Sequence, residues 1–175
     1  KTVSLGEFTH PAQCVWVARF RYLNEHLNLL EHIPKARCET YEQYKEATQF
    51  KRLSVVFSSF YLGNPSSTYG HTFLRLHREE TNQKTHDLLD QVVNYAAFVD
   101  SYGPLYPIRG LLGFYPGRFA LLPYYVKMQE YNNHESRDLW EYELNFSKEE
   151  IRWLMDVLWE QGFFYSDYYF YSTFI

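Results

Sequence analysis

Two runs rich in β-branched and aromatic residues constrain the fold of this chain more than any other feature. They are Leu53 to Tyr61 (L-S-V-V-F-S-S-F-Y) and the stretch opening at His71 (H-T-F-L-R-L). Between them lies N-P-S-S-T-Y-G, Asn64 to Gly70, so the order predicted is strand, turn, strand. Asn64-Pro65 and Gly70 supply the turn chemistry, because Pro fixes φ and lacks an amide donor while Gly tolerates shapes that a side chain forbids. Strand side chains alternate, which puts His71, Phe73, Arg75 and His77 on one face and Thr72, Leu74 and Leu76 on the other. A histidine at the first position of a strand, just after a glycine, can reach a cleft at the end of the sheet. Imidazole changes charge near neutral pH and can act there as a general base, and the glycine leaves room for a substrate. A half-buried histidine satisfied by a neighbouring carbonyl is the plain structural alternative.

Composition narrows the class. With 175 residues, 46% apolar and 22% charged, the chain reads as a globular domain with a real core, not a disordered one. Its 17 Tyr, 14 Phe and 4 Trp are an unusual load. Rings with a polar tip suit half-wet surfaces, lipid or carbohydrate contacts, and also a core of hydrogen-bonded tyrosines. The net charge of −4 and the lack of a long basic block argue against nucleic acid as a partner. No run reaches the about 18 apolar residues that span a bilayer, and the first residues do not read as a signal peptide; a mature or excised soluble domain is expected. Cys14 and Cys38 can be a disulfide or two buried thiols, and a bridge would contribute about 3 kcal/mol on the chain-entropy estimate. Their spacing is not a zinc signature.

Along the chain, Pro11 to His32 is predicted as a helix whose apolar face is Phe20, Leu23, Leu27 and Leu30, ended by Ile33-Pro34. A shorter helix is expected from Thr40, with Gln43 completing a capping box. Residues 1–50 thus read as a helical front section and 51–175 as the core of one domain. Arg78 to Asp87 reads as an exposed loop, and Leu88 to Phe98 as a strand with Asn94 among apolar neighbours. A buried amide needs partners; Asn94 can tie down a turn or orient an imidazole. Ser101 to Gly117 holds enough Gly and Pro to predict an irregular loop. Arg109 and Arg118 bracket its G-L-L-G-F-Y-P-G-R-F part, where planar guanidinium forks can hold a phosphate or carboxylate; surface salt bridges are the alternative. Pro123 to Asn133 reads as a helix. Asp138 to Phe146 reads as a half-buried strand with Trp140, Tyr142, Leu144 and Phe146 inward. Ser147 to Glu150 is a capping box opening a helix whose buried stripe is Ile151, Leu154, Met155 and Leu158. An aromatic, strand-like tail, Phe163 to Ile175, follows, and its open edge suggests a cut end.

Three constellations are weak. Glu141 and Glu143 share a strand face about 7 Å apart and could serve as paired acids, but acids on a wet strand face are commonplace. His71, His77 and His86 lack compact metal-ligand spacing. A serine triad lacks its G-x-S-x-G elbow.

Several motifs in order, S-V-V-F-S-S, N-P-S-S-T-Y-G-H-T-F-L-R-L, V-V-N-Y-A-A, G-L-L-G-F-Y-P-G-R-F, P-Y-Y-V-K-M-Q-E-Y-N-N-H-E-S-R-D-L-W-E-Y-E-L and Y-Y-F-Y, resemble the Lnb-type N-terminal periplasmic domain of bacterial lipoprotein N-acyltransferases and related envelope proteins. Cys14 and Cys38 fall where that family tends to carry paired cysteines, so the resemblance implies a disulfide. It further implies an α+β fold of permuted papain-like (NlpC-type) kind, an antiparallel sheet with flanking helices. His71 matches the family's catalytic histidine, and the permuted papain-like layout makes Asn94 the candidate to orient it. Tyr69, Gly70 and Arg75 beside the histidine, with Arg109 and Arg118, form the candidate substrate-binding set. The implied chemistry is cofactor-free acyl transfer, in which a thiolate attacks an ester, an acyl-enzyme forms and the N-terminal amine of a lipoprotein takes the chain. Lipoprotein or phospholipid acyl groups are the implied partners, with a membrane surface reached through segments outside the chain, on the periplasmic side of the envelope.

The departure from the pattern lies at the nucleophile. The family carries an Asn-Cys motif soon after Y-Y-F-F, whereas this chain reads Y-Y-F-Y-S-T-F-I and holds no cysteine there. The expectation is a fragment, or a version without its nucleophile, inactive as written. A non-catalytic lipid- or glycan-binding envelope module is the alternative, and a peptidase or amidase the third reading, since a Cys–His pair attacks amides as well as esters.

Overall fold

The computed structural model describes residues 2–5, 8–60, 70–78, 90–98, 105–130, 138–164 and 166–168. Their architecture is α+β, as expected. The strands β3 (Arg52–Ser58), β4 (His71–His77), β5 (Gln91–Ala97), β6 (Tyr115–Pro123), β7 (Leu139–Leu144) and β8 (Ser166–Tyr168) form one sheet in the order β7-β3-β4-β5-β6-β8. Every neighbouring pair is antiparallel. The sequence-predicted strand pair is β3 and β4, in the register Leu53 opposite Leu76 and Ser58 opposite His71.

Period-two alternation divides the core into two layers. On one face Leu53, Leu76 and Val93 pack with Phe50 against Ile151 and Met155 of helix α6 (Lys148–Gly162). On the other, Val56, Phe73 and Val92 lie beneath Tyr124 of the short helix α5 (Tyr124–Met128). Helix α6 starts where its sequence says it should. The Ser147 hydroxyl accepts from the Glu150 amide at 3.2 Å while the Glu150 carboxylate accepts from the Ser147 amide at 2.8 Å, so two orphan amides are satisfied at once.

The front of the chain differs from its prediction. It opens with a hairpin of β1 (Thr2–Leu5) and β2 (Phe8–Pro11), so residues 1–50 are not all helical. The long helix expected from Pro11 to His32 is instead α1 (Ala12–Val15), a break at Trp16, α2 (Val17–Leu27) and a 3-10 turn at Leu29–Glu31. Asn28, in the left-handed region at φ 49, ends α2 before the predicted boundary. Leu23, Leu27 and Leu30 are exposed, and the buried residues are Val15, Val17 and Ala18. Helical spacing marked a stripe, but docking uses the adjacent small residues, because α2 must approach α6 closely enough for the Arg19 amide to donate to Glu160 at 2.9 Å. Helix α3 (Glu39–Ala47) is capped at Cys38 without a side-chain bond, so the Thr40–Gln43 capping box does not form.

The Cys14–Cys38 disulfide, with Cα atoms 5.3 Å apart, ties α1 to the start of α3. Tyr41 donates to the Asp156 carboxylate at 2.6 Å, Tyr44 to the Met155 carbonyl at 2.9 Å, and Trp159 to the Cys14 carbonyl at 2.8 Å, fastening this section onto α6. Burial first, then the nearby Asp156 carboxylate, raises the pKa of both tyrosines.

Two further corrections concern the second half. The breaker-rich segment contains helix α4 (Tyr106–Leu111), and Gly117 lies within β6. Trp140 and Tyr142 of β7 are exposed, not inward, because β7 is an edge strand lying beyond the cover of α6.

Candidate functional site

His71 opens β4 at the end of the sheet where β3 stops at Ser58 and β5 stops at Ala97. Its Nε2 lies 2.8 Å from Oδ1 of Asn94 on β5, and both residues share one sheet face. An amide oxygen only accepts, so the proton of this bond sits on Nε2, and in the neutral ring Nδ1 is the nitrogen that can take up a proton. Half-buried His71 stands over buried Asn94, whose amide is thereby partnered as a buried polar group requires. Ser58 holds the backbone beside them, donating from its hydroxyl to the His71 carbonyl at 3.3 Å. Gly70 approaches just as closely. It has φ +89, and a Cβ there would meet the Ser58 carbonyl at 2.5 Å and the Phe57 ring at 2.9 Å.

Lower on the same face lies a charge cluster that sequence reasoning did not assemble. Arg75 is 5% exposed and binds Asp90 through Nε at 2.9 Å and Glu141 through Nη1 at 2.8 Å, with its guanidinium 4.0 Å from the centre of the Tyr124 ring. His77 adds Nδ1 to the same Asp90 oxygen at 2.8 Å, and its Nε2 lies 2.7 Å from the Ser54 hydroxyl and 3.2 Å from Glu141. The signal was partial: Arg75 and His77 share a face by alternation, but Asp90, just before β5, and Glu141, on β7, come from segments whose neighbours only strand pairing decides.

Ser54, His77 and Asp90 have the connectivity of a serine triad, yet their burial opposes that role. Burial disfavours the imidazolium, but hydrogen bonds to Asp90 and Glu141 outweigh it and raise the His77 pKa. Ser54 is 1% exposed, so its hydroxyl has no opening toward a substrate. Asp90 and Glu141 respond in kind. Burial raises both, and bonding to His77 together with the Arg75 charge more than reverses it, bringing Glu141 down to about 2. For Arg75, burial is likewise outweighed by Glu141 and Asp90, and its pKa rises. Glu141 therefore has no proton to donate near neutrality, and Glu143 lies 3.5 Å from Arg52 across the edge pair, so the two glutamates are not a pair of hydrolytic acids.

The candidate substrate-binding residues separate. Gly70 adjoins His71, while the guanidinium of Arg75 is taken up by the cluster. Arg118, exposed on β6 opposite Ala96, donates to the Gly162 carbonyl at 3.2 Å. Arg109, in the last turn of α4, lines a cavity of about 520 Å³ with Phe98, Phe114, Tyr115 and Pro116. That cavity belongs to the His71 end of the sheet, since Phe98 follows Ala97 and its amide donates to the Pro116 carbonyl at 2.7 Å. Tyr69 and His86 lie outside the described residues. No group of three potential metal ligands occurs among the described residues. Neither Cys14 nor Cys38 is a free thiol.

An antiparallel sheet with helices on both faces and a histidine–asparagine pair at its margin defines a small α+β domain of the kind the ordered motifs suggested. The chain belongs to the Lnb N-terminal periplasmic domain family, whose model matches residues 40–173. No curated protein and no solved structure matches it. Membership places the domain in the periplasm, and the Cys14–Cys38 bridge is at home in that oxidising compartment. No helix among the described residues is long and apolar enough to cross a membrane.

Proposed function

We propose that this domain serves cysteine–histidine acyl transfer to a lipoprotein N-terminus, with His71 as general base and Asn94 as its orienting partner. The reading rests on the 2.8 Å His71–Asn94 bond inside the G-H-T-F-L-R-L and V-V-N-Y-A-A motifs of the family resemblance. Asn94 accepts from Nε2–H, which leaves Nδ1 as the base. Nδ1 takes the proton of a thiol, the thiolate attacks an acyl ester carbonyl of a lipoprotein or a phospholipid, and the leaving alkoxide recovers that proton as the thioester forms. The lipoprotein amine then attacks the thioester, an amide forms, and the released thiolate and amine proton close the cycle. Arg109, in the cavity with Phe98 and Phe114, suits an acyl ester with an anionic head. Arg75 is given a structural role, because its charge is already neutralised.

The nucleophile is not one of the two cysteines of the chain, which are bridged to each other. The resemblance puts it in an Asn-Cys motif after an aromatic run of the kind seen at Tyr168 to Tyr171, and membrane anchoring is proposed for the same reason. The test uses phospholipid, a lipopeptide with a free N-terminal cysteine, and two proteins: residues 1–175, and the same domain in a longer form carrying the Asn-Cys motif. Transfer is expected from the longer form alone, falling about 10²–10⁴-fold in His71→Ala and less in Asn94→Ala. Wild-type transfer by His71→Ala would remove the histidine from the mechanism. A second reading is a non-catalytic lipid- or glycan-binding module, for which the exposed Phe98 and Phe114 rings along the Arg109 cavity offer an apolar contact surface. Transfer from neither form, with lipid or glycan bound, would establish that reading instead.

A further inference from the structure

A cavity of about 390 Å³ lies among α2, the connection 28–38, α3 and α6, on the α6 side of the sheet and so across it from His71. Its charged lining consists of two carboxylates, Glu42 and Asp156, and four cations, Arg21, Lys35, Lys45 and Arg152. Both carboxylates are answered within the lining. Glu42 takes Lys45 at 3.2 Å, and Asp156, 3% exposed, takes the Arg21 guanidinium and, at 2.6 Å, the Tyr41 hydroxyl. Lys35 and Arg152 are exposed, and their side chains have no hydrogen-bond or ion-pair partner among the described residues. Of the nearby acids outside the lining, Glu39 is held by Arg37 at 2.7 Å, and Glu149, one turn before Arg152, makes no ion pair with it. The cavity thus keeps two unanswered positive charges in a chain whose net charge is −4.

The backbone that carries these charges is fastened. Connection 28–38 belongs to no sheet, yet the Gln13 amide clamps it on both sides of Lys35, donating to the Pro34 carbonyl at 2.9 Å and accepting from the Ala36 amide at 2.8 Å. Asn24 accepts from the Leu30 amide at 2.9 Å, and the Cys14–Cys38 bridge secures the far end. Arg21 is oriented from behind by buried Asp156, which it meets through Nη1; a guanidinium has several further N–H donors in its fork, and these remain for a ligand. Val17, Phe20 and Leu30 add an apolar wall. A site whose backbone is already in place loses little freedom when a ligand enters.

We infer that this cavity is a binding site for a small organic phosphate monoester, with the phosphate held by Lys35, Arg152 and the free donors of Arg21 and the organic part against Phe20 and Leu30. A phosphate monoester carries about −1.5 to −2 charges at pH 7 and three acceptor oxygens, which matches two unanswered cations beside a guanidinium fork. A carboxylate, with a single charge, leaves one cation unanswered. The apolar wall has no use for a bare inorganic ion, and the volume is that of a small-ligand cleft. Because the site lies across the sheet from His71, it takes no part in acyl transfer, and the two readings stand or fall separately.

The experiment is titration calorimetry of the 175-residue chain with phenyl phosphate, inorganic phosphate, benzyl alcohol and the soluble dihexanoyl phosphatidic acid. Phenyl phosphate is expected to bind, inorganic phosphate about tenfold more weakly for want of the ring, and benzyl alcohol not at all. Lys35→Gln and Arg152→Gln should each weaken phenyl phosphate by about tenfold, with circular dichroism and thermal midpoint as in the parent, since both side chains are exposed. Phe20→Ala should weaken phenyl phosphate more than inorganic phosphate. Arg37→Gln, which removes a cation outside the lining, should bind as the parent does. Tighter binding of phosphatidic acid than of phenyl phosphate supports the site with a lipid headgroup as its source, and weaker binding supports it with a free phosphate ester. The proposal is overturned if phenyl phosphate does not bind, if the double variant Lys35→Gln/Arg152→Gln binds it undiminished, or if benzyl alcohol or inorganic phosphate binds as tightly.

Discussion

His71 and Asn94 occupy strands that are neighbours only once the sheet has formed, and a single hydrogen bond fixes which ring nitrogen is basic. Gly70 lets that happen. At φ +89 an L side chain is strained, and a Cβ would run into the Ser58 carbonyl and the Phe57 ring, so the segment entering β4 would have to move. Gly70→Ala is expected to destabilise the domain by about 1–3 kcal/mol, read as a lowered urea midpoint, and to shift the His71 ring resonances away from their Asn94-bonded positions. An unchanged midpoint with unchanged His71 resonances would show that the tight approach imposes nothing. The histidine and the asparagine were both legible as candidates, since each sits within a motif, but their contact was an expectation carried by family resemblance.

At the scale of elements, local chemistry and tertiary contact decided different things. The start of α6 is local: serine, two intervening residues and glutamate close a reciprocal pair of bonds wherever such a sequence enters a helix. Ser147→Ala should cost about 1 kcal/mol in thermal or urea unfolding, with the far-ultraviolet circular dichroism of the folded state retained. A loss below a few tenths of a kcal/mol would show the cap to be redundant with the packing of Ile151 and Met155. The faces of α2 and β7 are not local. Helical spacing pointed to Leu23, Leu27 and Leu30, and alternation pointed to Trp140 and Tyr142, yet all five are exposed. Periodicity identifies a stripe but not whether a neighbour arrives to cover it, and β7 lies at the edge of the sheet.

For the whole molecule, the charge cluster of Arg75, His77, Asp90 and Glu141 links stability to pH on two sides. Asp90 and Glu141 have depressed pKa values, so their contribution is present above the ordinary carboxylate range near about 4 and disappears as pH falls toward the Glu141 value of about 2. His77 has a raised pKa, so its contribution is full below about 6.5 and disappears as pH rises through the raised value. From this cluster, stability is greatest between roughly pH 4 and 6.5. Urea midpoints measured from pH 3 to 9 should fall on both sides of that window, and His77→Gln should flatten the alkaline limb relative to the parent. Parallel profiles for the two proteins would mean that His77 does not carry the linkage.

The sequence by itself determined that β3, β4, β5 and β7 become strands, where α6 begins, and the chemical character of the residues at the sheet margin. Backbone propensity, side-chain alternation and capping act over a few neighbouring residues. Only the tertiary structure decided that Asn94 meets His71, that Arg75 is taken up by Asp90 and Glu141, and that Trp140 and Tyr142 face outward. Those outcomes depend on strand order and on which faces find a cover, and both are set by contacts between residues far apart along the chain.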